Sequence, residues 1–241
     1  MASSRYRIGT AGWAIPRVVA ELFPAEGTGL QRYGTRFAAA EINSTFYRPH
    51  RPSTFERWRE TSPAHFRFAV KVPRAITHEA KLVDCDVAVA RFTGEVRALG
   101  ARLGPLLVQL PPSLAFDAAV AEAFLTDLRR HWDGQVVCEP RHASWFEDRP
   151  DDLLAAHRVA RAAADPARHP RAAGPGGWPG LAYWRMHGSP RMYYSAYETD
   201  ALDALAAAMA EHPADEVWSI FDNTTSGAAT ANALDLQARL R

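Results

Sequence analysis

Eight short apolar runs recur along the chain, each followed by a longer stretch, and this rhythm limits the possible folds more than any other feature. The runs are Arg7–Gly9, Ala39–Asn43, Phe66–Lys71, Leu106–Gln109, Val136–Glu139, Val159–Ala164, Ala182–Met186 and Val217–Phe221. All are too short for a stable helix and read as buried strands. Helical patterns lie between them, near Gln31–Phe37, Thr54–Thr61, Val87–Leu99, Ala118–His131, Asp151–Ala156, Leu202–Glu211 and Ala228–Leu240, several opened by Asp, Ser or Pro. Alternation of this kind implies parallel strands, because a parallel pair needs a crossover rather than a tight turn. Eight units predict an α/β chain closed into a TIM-type (β/α)8 barrel, and 241 residues suit one domain over 1–241, since such barrels take about 250.

One crossover breaks the rhythm. From Asp165 to Gly180 the chain reads DPARHPRAAGPGGWPG, too rich in Pro and Gly for a regular helix. The sixth crossover is therefore expected to be irregular, and a loop of that length is a candidate lid.

Charge and cysteine usage exclude several function classes. Lys and Arg number 28 against 27 Asp and Glu, a formal net charge of +1, so no broad field grips a polyanion or a membrane surface. Cys85 and Cys138 form neither a C-x-x-C pair nor a zinc-type cluster. No apolar run is long enough to span a bilayer, and Met1–Arg7 shows no apolar signal core, so a cytoplasmic location is expected. Nothing in the patterning sets an oligomeric state.

Function should lie where polar side chains interrupt the apolar strands. In a closed barrel, groups at the C-terminal strand ends converge on one mouth. Strand two ends in Glu41 and Asn43, strand three in Lys71, strand four in Gln109, and strand five in Glu139 followed by Arg141 and His142. Strand six runs into Asp165, strand seven carries Arg185 and His187, and strand eight leads to Asp222 and Asn223. Glu41 and Asn43 share a face by the two-residue period, as do Arg185 and His187. Buried singly, such groups would each cost several kcal/mol, so they are expected to meet one another or a ligand.

Lys71 stands apart by residue usage. Of the 28 basic residues only Lys71 and Lys81 are lysines. Lysine offers a compact ammonium whose pKa falls readily on burial, suited to proton transfer, Schiff-base chemistry or contact with an anion. Arg74 and His78 follow it and should form a cationic arc with it.

Longer blocks carry a family resemblance. GTAGW from Gly9, EINSTFYR from Glu41, VKVPRAITH from Val70, LGPLLVQLPP from Leu103, EPRHASW from Glu139, YWRMHG from Tyr183 and FDN from Phe221 resemble the signature blocks of the DUF72 (YecE-like) family, over nearly the whole chain. The resemblance implies a TIM-type barrel whose strand ends are supplied by these blocks, and it names no reaction. The final block usually reads Asn where this chain has Asp222, so a ligand role for Asp222 does not carry over.

Three functional readings follow. The first is a small-molecule site: Arg74, Arg141 and Arg185 orient an anionic or polyhydroxylated ligand, Glu139 or Glu41 works with His187 or Lys71 as acid and base, and Trp13, Tyr47 and Trp145 wall the pocket. Asn43, His78, Gln109, His142 and Asn223 complete the expected lining. The second is a metal-dependent phosphoester hydrolase or sugar isomerase with a divalent ion on Glu139, Asp165, His187 and Asp222, although no spaced ligand motif supports it. The third is a nucleic-acid or partner-binding barrel, in which Arg48, Arg51, Arg57 and Arg59 track phosphates beside Tyr47, Phe55 and Trp58. An amphipathic helix with Phe55 and Trp58 on its core side explains that last pattern more simply.

Overall fold

A parallel sheet joins each strand to the next through a crossover, and the computed structural model, which describes residues 5–241, has this order throughout its barrel. The expectation of no apolar leader concerns in part Met1–Ser4, which lie outside the described residues. The strands are β1 (Tyr6–Ala11), β2 (Ala39–Ile42), β3 (Arg67–Lys71), β4 (Leu103–Gln109), β5 (Val136–Glu139), β6 (Val159–Arg161), β7 (Ala163–Asp165), β8 (Gly176–Gly177), β9 (Leu181–Met186) and β10 (Glu216–Phe221). The helices are α1 (Gly29–Gly34), α2 (Pro52–Thr61), α3 (Asp86–Val96), α4 (Ala118–His131), α5 (Asp148–Ala156), α6 (Thr199–Glu211) and α7 (Ala228–Arg239).

The sheet order is β7-β9-β10-β1-β2-β3-β4-β5-β6-β8. β6 and β7 are the two halves of the expected sixth strand: the first pairs with β5 and the second with β9, both in parallel, and so the chain closes the ring. The fold is the TIM-type α/β barrel. Among the described residues only the two-residue β8 runs antiparallel, against β6. The sixth crossover has no α-helix, only a 3-10 turn at Pro170–Ala173. Buried Arg161 holds this segment through the carbonyls of Arg171 (2.8 Å) and Gly174 (3.2 Å).

Local sequence accounts for the helix limits. Asp117 accepts from the amides of Ala119 and Val120 at 2.9 and 3.1 Å, while Arg129, Arg130 and His131 occupy the last turn of α4, where cations favour the helix dipole. Pro52 opens α2, whose Phe55 is buried and whose Trp58 packs edge-on to Trp13 at 5.2 Å. The aromatic positions of α2 are thus core positions.

Strand alternation separates two apolar layers. Outward residues such as Ile42, Val70, Val108, Cys138 and Met186 pack under the helices, whereas Ala39, Ala69, Leu107, Val137, Tyr183 and Trp218 fill the barrel. Small inner residues make room for large ones: a Cβ at Gly104 would lie 2.9 Å from the Trp218 ring, and one at Gly9 only 2.0 Å from the Ala39 carbonyl oxygen. The N-terminal end is plugged by polar contacts. Glu216 accepts from Arg7 Nε (3.1 Å), Gln135 Nε2 (2.8 Å) and Trp218 Nε1 (3.1 Å), leaving the C-terminal end as the mouth.

Candidate functional site at the barrel mouth

Six strands point one charged or amide residue inward at the mouth: Glu41, Lys71, Gln109, Glu139, Arg185 and, just past β10, Asp222. Arg185 lies at their centre, fully buried. Its Nη2 and Nε donate to Glu41 Oε1 (2.5 Å) and Oε2 (3.1 Å), and its Nη1 donates to Glu139 Oε2 (2.6 Å). Nη2 also reaches Asp222 Oδ2 at 3.2 Å. A buried guanidinium is tolerable only when paired and hydrogen-bonded in this way.

Other side chains saturate the carboxylates. Tyr183 donates to Glu41 Oε2 at 2.9 Å; Gln109 Nε2 and Arg141 Nε donate to Glu139 at 3.0 and 3.1 Å. The His187 ring bridges two of them, with Nε2 3.2 Å from Glu139 Oε1 and Nδ1 3.0 Å from Asp222 Oδ2. Burial alone would lower the His187 pKa, but Glu139 foremost, with Asp222, raises it, so both nitrogens favour carrying protons. Burial likewise works to raise Glu139 and Asp222, yet Arg185 and His187 hold Glu139 well below the usual carboxylate range and lower Asp222.

Lys71 is the exception in this paired network. Among the described residues its ammonium has no hydrogen-bond or ion-pair partner; it lies 4.1 Å from the centroid of the Phe46 ring. Burial, reinforced by the Arg185 charge, pulls its pKa from 10.5 down to about 8. Reductive methylation with labelled formaldehyde would give distinct signals for Lys71 and Lys81, and the Lys71 signal is expected to titrate near pH 8. A Lys71 midpoint above about pH 10 would contradict a desolvated ammonium.

The structure brings together most, but not all, of the residues expected at the mouth. Trp13 and Asn43 line a cavity of about 360 Å³ together with Glu41 and Asp222. Arg141 and His187 border a small adjoining cleft with Glu139. Asn43 Oδ1 and Arg141 Nη2 are buried without a hydrogen-bond partner. Arg185 orients carboxylates rather than a ligand, because it is fully buried and bonded.

Several expected lining residues are corrected. Trp145 faces the helix layer, where its Nε1 donates to the Leu114 carbonyl at 3.0 Å and its ring meets Phe116. His142 Nδ1 accepts the Ser144 amide and caps the turn Ala143–Trp145. Asn223 donates to the Ser195 carbonyl (2.9 Å) and to Asn232 on α7 (3.0 Å), a link between loop and helix. Arg74 turns to Glu79 at 3.1 Å, while His78 bonds Thr77, meets the edge of Phe46 and has its pKa lowered by burial and then by the charges of Lys71, Arg141 and Arg74, so the basic residues after β3 stay near one another with Arg74 already paired. Tyr47 is exposed on the outer side of Phe46.

The four-residue metal set does not assemble either. In parallel register Asp165 pairs with the outward-facing Met186, and its carboxylate accepts from Tyr197 at 2.8 Å. Arg185 already holds the remaining carboxylates, and among the described residues no group of three or more His, Cys, Asp or Glu side chains is placed to hold an ion. Several contributors lie outside the expected set: Trp58 and Thr224 line the larger cavity, and the Tyr193 ring meets His187 at 5.7 Å. Tyr183 shares the face of Arg185 and His187 by simple alternation, a signal sufficient to find it; Ser44, whose Oγ contacts His50 Nε2 at 2.7 Å, opens the 3-10 turn after β2, where the two-residue period no longer applies.

Known proteins resemble the chain in both sequence and fold. Residues 7–241 match a family model described as "Protein of unknown function DUF72". UPF0759 protein YecE of Escherichia coli is 38% identical over 84 residues, 35% of this chain and 31% of that protein. UPF0759 protein YunF of Bacillus subtilis is 26% identical over 147 residues, 58% of this chain and 51% of that protein. The chain thus spans about a third to a half of the length of these curated relatives. A crystal structure of a DUF72 family protein from Thermotoga maritima superposes with a TM-score of 0.81 at 25% identity, covering 98% of both chains. One from Enterococcus faecalis gives 0.81 at 20% identity, covering 98% of this chain and 95% of that one, a likeness of fold.

Proposed function

The chain belongs to the DUF72 family, whose description leaves the reaction open, and from the chemistry of its mouth we propose that it binds and acts on a small anionic, polyhydroxylated ligand. One observation supports this reading: around a network where every carboxylate is paired, three polar atoms make no hydrogen bond among the described residues. They are the Lys71 ammonium nitrogen, Asn43 Oδ1 and Nη2 of Arg141, whose guanidinium is otherwise held by Glu139 and Tyr193. Two are cationic donors and one is an acceptor, the complement of a ligand with an anionic group and hydroxyls.

The roles divide by pairing. Arg185 locks Glu41 and Glu139 in place, so these carboxylates set the local field rather than move freely. Lys71, with a pKa pulled to about 8, exchanges a proton readily near neutral pH and serves as the acid or base. His187, protonated between Glu139 and Asp222, is a second proton source at the same rim. Trp13 offers the apolar face on which a sugar-like ring stacks. Among the described residues no helix is long and apolar enough to cross a membrane. A reducing, cytoplasmic setting belongs to the same reading, supported by two buried cysteines that carry no bridge.

The test is a thermal-shift panel of sugar phosphates, sugar acids and nucleotides, followed by calorimetry of any hit. Arg141→Met should weaken that hit about 10- to 100-fold, the usual worth of a charged hydrogen bond. A hit whose affinity is the same in wild type, Arg141→Met and Lys71→Met would place binding elsewhere and refute the reading.

A further inference from the structure

The Phe46 ring has three close neighbours. Lys71 Nζ lies 4.1 Å from its centroid, while His78 and Tyr47 meet it edge-on at 4.9 and 5.0 Å. Phe46 also lines a cavity of about 270 Å³, bordered by the loop after β2, the turn after β3 and one face of α3. None of the fully paired residues of the Arg185 network lines it.

Its walls and rim differ in character. Phe46, Pro49, Pro73, Ile76 and Phe92 make an apolar interior, and Tyr47 stands at the edge with 74% of its surface exposed. At the rim two ion pairs neutralise themselves: Arg74 with Glu79 at 3.1 Å, and Arg91 with Glu95 at 2.8 Å. Arg48 has no carboxylate partner among the described residues, so one positive charge is left over at the opening. A largely apolar cavity with a single uncompensated guanidinium suits a small monoanion with an apolar body.

We propose that this cavity is a second ligand site, for a monoanion with an apolar body, and that its occupant contacts the same Phe46 ring that packs against the Lys71 ammonium. The apolar body fills the space between Pro73, Ile76 and Phe92, the Tyr47 ring covers it, and Arg48 meets the anionic group. Coupling to the mouth follows from the shared ring. Fixing Phe46 changes the orientation available for its contact with the Lys71 ammonium, an interaction that depends on the ring face. This second site does not require a ligand at the mouth, so either can fail alone.

2-Naphthoate is a suitable probe, with 2-naphthalenemethanol as its uncharged counterpart. Calorimetry should show one saturable naphthoate site per chain, with the alcohol bound about three- to fivefold more weakly, the usual worth of an exposed charge contact. Arg48→Gln, a change on an exposed side chain, should reduce naphthoate affinity by the same factor and leave the alcohol unaffected. Ala88→Trp, which fills the cavity from the exposed face of α3, should abolish binding of both. In the methylated protein, saturation with naphthoate should shift the Lys71 signal and not that of Lys81. Absence of saturable binding, or full binding by Ala88→Trp, overturns the site; binding that leaves the Lys71 signal in place overturns the coupling.

Discussion

Arg185→Met is expected to cost about 3–5 kcal/mol of unfolding free energy near neutral pH, because it leaves buried carboxylates without their counter-charge. In wild type the guanidinium meets Glu41 twice, Glu139 once and Asp222 once, and Arg185, Glu41 and Glu139 are all buried. Methionine fills the stem and supplies none of these bonds. For a chain of this size the loss corresponds to a melting point lower by roughly 6–20 °C. The pH dependence should change sign with it. In wild type Glu139 is held well below its unfolded pKa, so its contribution is complete above that unfolded value and is lost as the pH falls through the folded one. In the variant, burial dominates and raises Glu139 above its unfolded value. The penalty should therefore be largest at neutral pH and shrink on acidification as the carboxyl group protonates. Chemical denaturation of both proteins across the acid range measures this, and adding Glu139→Gln to the variant should restore part of the loss. A deficit below about 1 kcal/mol that does not vary with pH would mean that water enters and solvates these groups.

How much of this network is legible in the sequence depends on where the two-residue period holds. Within strands it holds well. Glu41, Arg185 and His187 point inward as alternation requires, and Cys138 points outward between Val137 and Glu139. The period fails at the first turn after a strand. His142 and Trp145 follow β5 but sit in a 3-10 turn, so no strand face extends to them, and they serve a cap and the helix layer. Asp165 is ambiguous for another reason. The strand around it reads VARAAAD, and alanine suits either face, so the sequence carries no phase; pairing with β9 sets Ala164 inward with Arg185 and Asp165 outward with Met186.

Pairing partners are a second limit. Residue types announce that Glu41, Glu139, Asp222 and Arg185 will meet, but not that one guanidinium will satisfy three carboxylates. That choice depends on distances across the barrel, between groups as far apart in sequence as Glu41 and Arg185, which are separated by 144 positions. Arg74 shows the reverse, because its partner is local: Glu79, at the end of the same short turn after β3, draws it away from the mouth. Lysine usage is the more telling signal. In a chain that otherwise chooses arginine, the ammonium that the strand pattern places at the mouth is found without a hydrogen-bond or ion-pair partner among the described residues.

Lys71→Met should accordingly make the protein more stable while impairing binding. An amine whose pKa falls from 10.5 to about 8 on folding costs up to about 3 kcal/mol while it carries its charge. The unfolded chain holds this proton more tightly than the folded one. The cost is therefore full below about pH 8 and is relieved as the pH rises toward 10.5, so wild-type stability should climb through that window. Methionine keeps most of the length of the side chain, with a terminal methyl in reach of Phe46, and removes the charge. The variant should exceed wild type by about 1–3 kcal/mol at neutral pH, and the two should converge above about pH 10. Comparing the two proteins cancels the contribution of Lys81. If Lys71→Met is instead the less stable protein at neutral pH, the ammonium is a structural counter-charge to Glu41 and Glu139. A stability gain together with lost binding is the pattern of a group kept for function at the expense of the fold.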